Sequence, residues 1–286
     1  MEMSHLSDKS NNFRPLMEIV NKEFLILFVS CFISESALIK LFNLTHMQHQ
    51  IKTTHDGSHT LFVPEINEHY HSVNGAIQES KHIFINAGLK YYLDNLYKKE
   101  SQSIQTLNIL EIGFGTGLNT LLTLLETEKS SFKVFYNSLE LYPVSIEDAA
   151  KLNYPTLLNE NLFDHSVNTT ELFLQLHTSA WEKPVNVTPN FTLLKQQIDF
   201  RNPSHFNSSK LFNLVYFDAF APEKQPEMWT KDIFKKIFSL CDPGAVITTY
   251  CAKGVVRRML QNEGFKMERL PGPPGKREIL RGKKGV

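Results

Sequence analysis

Cysteine is nearly absent from this sequence. Cys31, Cys241 and Cys251 are odd in number and form no Cys-x-x-Cys pair, so neither a disulfide framework nor a zinc site is indicated. A reducing cytoplasm is the natural compartment. Long apolar runs are missing too. The stretch Phe24 to Ser34 covers eleven residues before Glu35 and Lys40 interrupt its surroundings, short of the ~20 that a membrane-spanning helix needs. A secretory signal would set such a run close behind a compact basic start, whereas here a mixed segment precedes it. It reads first as an amphipathic or buried helix and second as a membrane anchor. A third reading makes Met47 the true start and residues 1–46 an extension of the reading frame.

Net charge is also missing, being formally zero. The balance is uneven along the chain: from Lys253 onward there are ten Lys or Arg against three Glu, and before it twenty against twenty-seven acidic residues. A basic tail on an acidic body suits a body that takes a cationic cofactor and an edge that meets phosphates, and a solvated charged face explains it nearly as well. With 286 residues and 42% hydrophobic content, one large core can be buried. The expected organisation is an extension over 1–46, a hairpin and helix over 47–106, and a main α/β domain over 107–286 with the basic part at its end.

The runs Thr60–Val63 and His69–Val73 flank a Pro64-Glu-Ile-Asn-Glu turn and predict a hairpin. Helical spacing follows in the second half of Gly75–Tyr97, and a polar link covers Lys98–Gln105. Strands are then expected at 107–112, 133–140, 191–198, 211–218, 244–250, 265–270 and 276–281, with helices at 117–126, 145–151, 228–240 and 253–263; the polar region 152–190 adds small helices. Such alternation predicts a mostly parallel, Rossmann-like sheet with helices on both faces, whose ligand lies at the carboxyl ends of the strands.

One of those ends reads Ile109-Leu-Glu-Ile-Gly-Phe-Gly-Thr-Gly-Leu-Asn119. Gly113, Gly115 and Gly117 bare the backbone to a close-lying cofactor, and the opening turn of the next helix offers free N–H groups. A dinucleotide site wants Gly-x-Gly-x-x-Gly; this turn reads Gly-x-Gly-x-Gly. Glu111 would repel a pyrophosphate but suits the cationic amino group of a methionine moiety. The pattern favours S-adenosylmethionine over NAD. An unliganded tight turn is the alternative.

Three further strands end in carboxylates: Glu140, suited to ribose hydroxyls, Asp199, suited to an adenine amino group, and Asp218. Each taken singly suits a helix cap. Asp218 opens Asp-Ala-Phe-Ala-Pro, similar to the Asp/Asn-Pro-Pro-Tyr motif of amino methyltransferases. Asp218 would accept the proton or hydrogen bond of an attacking amine, and Phe220 would stack on a base or favour a cation. His69 and His71 share one strand face, but two histidines make no metal site.

On these residues the chain from about Gly57 to Gly282 resembles the methyltransferase domain of the MnmC family of tRNA wobble-uridine modification proteins, a class I S-adenosylmethionine-dependent fold. The segments are Gly75-Ala-Ile-Gln-Glu-Ser-Lys-His-Ile-Phe, the glycine turn, Ser138-Leu-Glu-Leu-Tyr-Pro-Val-Ser, Asp218-Ala-Phe-Ala-Pro-Glu-Lys-Gln-Pro-Glu-Met-Trp229, Val255-Val-Arg-Arg-Met-Leu-Gln-Asn-Glu-Gly-Phe and Gly275-Lys-Arg-Glu-Ile-Leu-Arg-Gly. The resemblance implies N-methylation of the aminomethyl group of 5-aminomethyl-2-thiouridine at the tRNA wobble position. Asp218 and Phe220 would stand at the reacting amine. Glu111, Gly113, Gly115, Gly117, Asn119, Glu140, Asp199 and Asp218 would touch the cofactor. Glu79 and Ser80 would close over it on the substrate side, and Arg257, Arg258, Lys276 and Arg277 would serve the tRNA backbone.

The sequence leaves no room for the flavin-dependent oxidase domain of the bifunctional proteins, so S-adenosylmethionine alone is expected, with neither FAD nor metal, and only the methylation step. tRNA is the expected partner, with no membrane partner for the core domain. The rivals are a methyltransferase of the same fold acting on a small amine or another RNA, an NAD-dependent oxidoreductase, and an RNA-binding module with a degenerate pocket.

Overall fold

The computed structural model describes residues 49–97, 105–128, 130–159 and 168–285. The expectations for residues 1–46, including the apolar run and Cys31, lie outside the described residues, as does most of the 98–105 link. Gln48–Val286 forms one unit by itself.

That unit begins with a three-stranded antiparallel sheet, β1 (Gln50–Thr53), β2 (His59–Val63) and β3 (Glu68–His69). The strand expected at His69–Val73 is therefore much shorter and sits earlier. Beyond His69 the backbone bonds elsewhere: His71 N–H donates to Thr60 Oγ1, Ser72 N–H to the Glu79 carboxylate, and the Val73 carbonyl accepts from His55 N–H.

Helix α1 (residues 76–97) is α-helical at Ala76–Ser80 and Tyr91–Tyr97 and π-helical at Lys81–Lys90. Helical spacing foretold only its second half. The first turn is capped from a distance, because Gly75 has no side chain to offer. The amides of Ala76 and Gln78 donate instead to Ser58 Oγ and Asp56 Oδ2 in the β1–β2 turn. Gly88 lets α1 settle on the main sheet, where an added Cβ would lie 3.2 Å from Thr248 Oγ1 and 3.3 Å from the Tyr216 ring.

The main sheet contains β4 (Thr106–Ile112), β5 (Lys133–Glu140), β6 (Pro184–Asn186), β7 (Phe191–Gln197), β8 (Phe212–Phe217), β9 (Cys241–Thr249), β10 (Phe265–Pro271) and β11 (Glu278–Lys284), in the order β10-β11-β9-β8-β4-β5-β7-β6. The inner five, β9-β8-β4-β5-β7, are parallel, and β11, β10 and β6 add antiparallel edges. The short β6 was not foreseen; its Pro184 opens an edge strand, one of the few places in a sheet that tolerates a missing N–H. Helices α2 (Leu118–Thr127), α3 (Ile146–Ala149), α4 (Tyr154–Asn159), α5 (Thr169–Thr178), α6 (Lys231–Leu240) and α7 (Gly254–Glu263) complete the unit. α6 begins later than expected, after a 3₁₀ turn at Pro226–Met228, where the Thr230 side chain caps it.

The inner strands read as continuous apolar runs because both faces are buried. Leu214 and Tyr216 join one core with Ile109, Leu121 and Phe173, while Val215 and Phe217 join the other with Leu110, Phe234 and Leu260. Each large apolar side chain fully buried this way contributes about 1.5–3 kcal/mol. Strand order runs outward from β4 through β5 to β7, then returns to the other side of β4 at β8. The carboxyl ends of β4 and β8 therefore meet at the reversal point, where ligands bind in such sheets.

Candidate active site

The glycine turn after β4 is fixed from both neighbouring strands. Gly113 N–H donates to the Leu139 carbonyl at 2.8 Å, and Asp218 N–H donates to the Ile112 carbonyl at 3.0 Å. Gly113 has φ +97°, and a Cβ there would stand 2.6 Å from the Asp218 carbonyl oxygen. The bare backbone is what lets β4 and β8 deliver their ends to one spot. Gly117 (φ +72°) opens α2, and its missing side chain makes room for His177 of α5. The His177 ring lies 3.1 Å from the Thr116 carbonyl through Nε2 and edge-on to Phe114, with ring centroids 5.3 Å apart. Burial holds this imidazole down at about 4, so near neutral pH it is uncharged and its Nε2–H donates to the turn.

Glu111 is fully buried, on the sheet face that α2 covers. Its Oε2 accepts from Ser138 Oγ at 2.6 Å and Thr120 Oγ1 at 3.1 Å. Oε1 has no hydrogen bond of ordinary geometry, and neither has the Tyr136 hydroxyl near it. Burial, with Asp218 adding repulsion, pushes this carboxyl up to about 8. Asn119, in the first turn of α2, donates through Nδ2 to Asp218 Oδ2 at 2.8 Å and leaves a buried Oδ1 without a partner. Burial raises Asp218 to about 7 against the hydrogen bond from Asn119; Glu79 adds to the rise and Lys276 opposes it.

Glu140 ends β5 and ties the glycine turn down: its Oε2 accepts from Gly115 N–H at 3.0 Å and its Oε1 from Tyr142 N–H at 2.9 Å. Burial raises its pKa against these bonds. Leu141 N–H also favours the carboxylate, and since a carboxylate has about four acceptor positions, capacity remains for a ribose hydroxyl. Asp199 differs. It lies past β7, where Arg201 clamps both its oxygens at 2.7 and 2.6 Å and lowers its pKa, and its side chain keeps 33% exposure.

The hairpin and the later strands build the front of the site. Tyr70 packs on Gly115, where an added Cβ would lie 3.0 Å from its ring, and meets Phe220 edge-on at 5.1 Å. Phe220 is held by its carbonyl, which accepts from Trp229 Nε1 at 2.7 Å. Tyr250, after β9, donates its hydroxyl to the Ala219 carbonyl at 2.8 Å. Lys276, expected on a phosphate backbone, is half-buried, 3.2 Å from Glu79 Oε1 and over the Tyr250 ring. Ser80 is fully buried and its hydroxyl has no partner. Arg258 and Arg277 are exposed, and Arg257 is half-buried with NH1 on Gln261.

Tyr70, Tyr250 and the pairing of Lys276 with Glu79 were not read from the sequence. A second set behind the turn was missed as well: Lys195, nearly fully buried, donates to the His177 carbonyl at 2.8 Å and lies over the Trp181 and Phe114 rings. The local sign was faint: β7 reads Phe-Thr-Leu-Leu-Lys-Gln-Gln, and its lysine stands beside other polar residues. Among the described residues no group of three or more His, Cys, Asp or Glu is placed to hold a metal, and no helix is long and apolar enough to cross a membrane.

The unpartnered oxygens of Glu111 and Asn119 and the remaining acceptor capacity of Glu140 fit a ligand carrying an ammonium group and a ribose. The fold is that of the class I S-adenosylmethionine-dependent methyltransferases, and residues 191–285 match the family described as S-adenosyl-L-methionine-dependent methyltransferase. More narrowly, the domain is MnmC-like. The chain is 30% identical over 228 residues to the tRNA 5-methylaminomethyl-2-thiouridine biosynthesis bifunctional protein MnmC of Leptospira interrogans, a match covering 76% of this chain and 33% of that protein. It is 31% identical over 228 residues to the protein of the same name from Pseudomonas savastanoi, covering 76% and 32%. The chain thus spans about a third of the length of the curated relatives it matches. The crystal structure of MnmC2 from Aquifex aeolicus shares the fold with a TM-score of 0.64 at 22% identity, over 94% of this chain and 83% of that one.

Proposed function

We propose that this chain methylates the primary amine of an aminomethyl group on the wobble uridine of tRNA. The observation that carries the reading is Asp218: a carboxyl at the reversal point of the sheet, beside the glycine turn, with burial holding it at about 7. The resemblance to proteins named for 5-methylaminomethyl-2-thiouridine biosynthesis supplies the substrate class.

S-adenosylmethionine supplies a methyl group on a cationic sulfur. Glu111 and Asn119 would hold its amino-acid end and Glu140 its ribose, while the bare backbone at Gly113 lets the ends of β4 and β8 meet beside it. Asp199, engaged by Arg201, lies on the adenine side. When bound, the sulfonium would supply the methyl group to the amine nitrogen, its carbon–sulfur bond breaking as the carbon–nitrogen bond forms and a neutral thioether remaining. Nucleophilic attack needs the amine uncharged, so Asp218 accepts its surplus proton; a carboxyl poised near the working pH suits this task. Phe220 and Tyr70 flank the path with ring faces that take a uracil or a cation. Displacement at a methyl carbon requires neither flavin nor metal, and the reading needs neither. Arg257, Arg258 and Arg277 are assigned to phosphate, and the cytoplasm is the compartment that holds the substrate.

The test is incubation of the purified protein with methyl-labelled S-adenosylmethionine and tRNA lacking this methylation, followed by nucleoside analysis. Label on the aminomethyl nitrogen of the wobble uridine is expected. Label on a free small amine, or at another RNA position, would replace the substrate while keeping the chemistry.

A further inference from the structure

We propose that Lys276 is a positioning residue for proton acceptance, acting with Glu79 as a paired charge that sets the ionisation of Asp218, and is not a contact to phosphate. The inference rests on the reading of Asp218 as the group that receives the amine proton.

Lys276 belongs to the β10–β11 turn, which closes on itself: Lys276 N–H donates to the Pro273 carbonyl at 2.9 Å and Gly272 N–H to the Arg277 carbonyl at 3.1 Å. The turn is too tight for a side chain at 272, where a Cβ would lie 2.2 Å from the Lys276 carbonyl oxygen. Lys276 and Arg277 then part company. Arg277 stands exposed, whereas the ammonium of Lys276 lies 3.2 Å from Glu79 Oε1 and 4.8 Å from the Tyr250 ring centroid. Glu79 is itself anchored, its Oε2 accepting from Ser72 N–H at 2.7 Å, and its side chain is only 10% exposed. Drawing Lys276 out to a phosphate would leave Glu79 as an uncompensated charge in a buried place, which is strongly unfavourable.

The pair also stands close to Asp218: Lys276 lies over the Tyr250 ring, and the Tyr250 hydroxyl donates to the carbonyl of Ala219, the residue that follows Asp218. The other groups facing Asp218 are Glu111 on β4 behind it, Asn119 on α2 as hydrogen-bond donor, and Tyr250 after β9. Of these surroundings only Lys276 is positive, so it favours the carboxylate, and Glu79 opposes it. Removing one partner or the other must therefore displace Asp218 in opposite directions.

The experiment compares Lys276→Gln, Lys276→Arg and Glu79→Gln with the wild-type protein. Lys276→Gln should move the acid limb of the methyl-transfer pH profile upward by about one unit, and Glu79→Gln should move it downward by a similar amount. Lys276→Arg, which keeps the charge, should stay close to wild type. The salt dependence of tRNA binding should not change in Lys276→Gln. An independent titration of aspartate side chains by ¹³C NMR, without substrate, should show the same two displacements for Asp218. The idea is overturned if Lys276→Gln flattens the salt dependence while the limb stays in place, or if both charge-removing variants move Asp218 the same way or leave it unmoved. Should the wild-type protein methylate no amine, the functional reading fails, and the NMR displacements still decide the role of Lys276.

Discussion

Glu111 and Asp199 look alike in the sequence, each a carboxylate at or near the end of a parallel strand beside a glycine-containing or polar turn. The fold treats them in opposite ways. Glu111 is sealed from solvent with one oxygen left without a hydrogen bond, and its pKa is driven up to about 8. Asp199 is partly open, gripped at both oxygens by Arg201, and its pKa is driven down. A buried acceptor with no partner is costly, by about 1–3 kcal/mol, and such a cost at a ligand position is expected where a ligand relieves it. A satisfied surface ion pair carries no such signal. The difference teaches that hydrogen-bonding capacity left open, more than placement at a strand end, marks a carboxylate that is waiting for a ligand.

The widest contrast is with Asp218, which should touch the reaction and hardly touch cofactor affinity. Asp218→Ala is expected to slow methyl transfer by about 10²–10⁴-fold while cofactor affinity by calorimetry stays within a few-fold. Equal loss of both would move Asp218 into the cofactor pocket alongside Glu111.

Glu111→Gln should act on binding. Losing a charge-assisted hydrogen bond corresponds to about 10–100-fold in cofactor affinity. Because burial raises Glu111 from 4.5 to about 8 in the folded protein, folding favours its neutral form, and the penalty grows as pH climbs from the unfolded value to the folded one. It is nil below about pH 4 and complete above about pH 8. The unliganded Glu111→Gln protein should therefore melt with wild type near pH 4 and several degrees above it near pH 9. In the wild type, an incoming ammonium group should expel the Glu111 proton. Calorimetry in buffers of different ionisation enthalpy should show proton release near pH 7 that fades by about pH 9. Equal melting at both pH values would remove the penalty, and with it the contrast to Asp199.

The parallel sheet and the glycine turn were legible because their rules are local: apolar runs for strands buried on both faces, glycine where the backbone turns through positive φ. Asp218 and Glu140 were legible for the same reason, since strand ends are predictable from runs. What escaped the sequence is non-local. The first turn of α1 is capped by Asp56 and Ser58, some twenty residues earlier, so no capping signal stands beside it. Lys276 was assigned to phosphate because it sits in a basic tail next to Arg277. Nothing in the spacing shows that the β10–β11 turn sends one of these neighbours inward to Glu79 and the other outward.

Smaller effects should follow from the exposed basic residues. Replacing Arg258 and Arg277 together with alanine should weaken tRNA binding uniformly and lower the slope of log affinity against log salt by about 1–2. Methyl transfer at saturating tRNA should be unaltered. An unchanged slope would mean that this face does not meet the substrate.

The smallest change is expected at Asp199 itself. If Arg201 already occupies both carboxylate oxygens, Asp199→Asn removes a partly exposed ion pair whose worth is about 0–1 kcal/mol, and cofactor affinity should fall by no more than a few-fold. Stability lost on acidification should be correspondingly slight: Arg201 lowers the folded pKa of Asp199, so the pair's contribution is present above the unfolded value of 3.8 and fades only as pH drops through the folded one. A drop in affinity as large as that of Glu111→Gln would show that Arg201 releases Asp199 when the adenine arrives. The two carboxylates would then differ in how they wait for a ligand, not in whether they bind one.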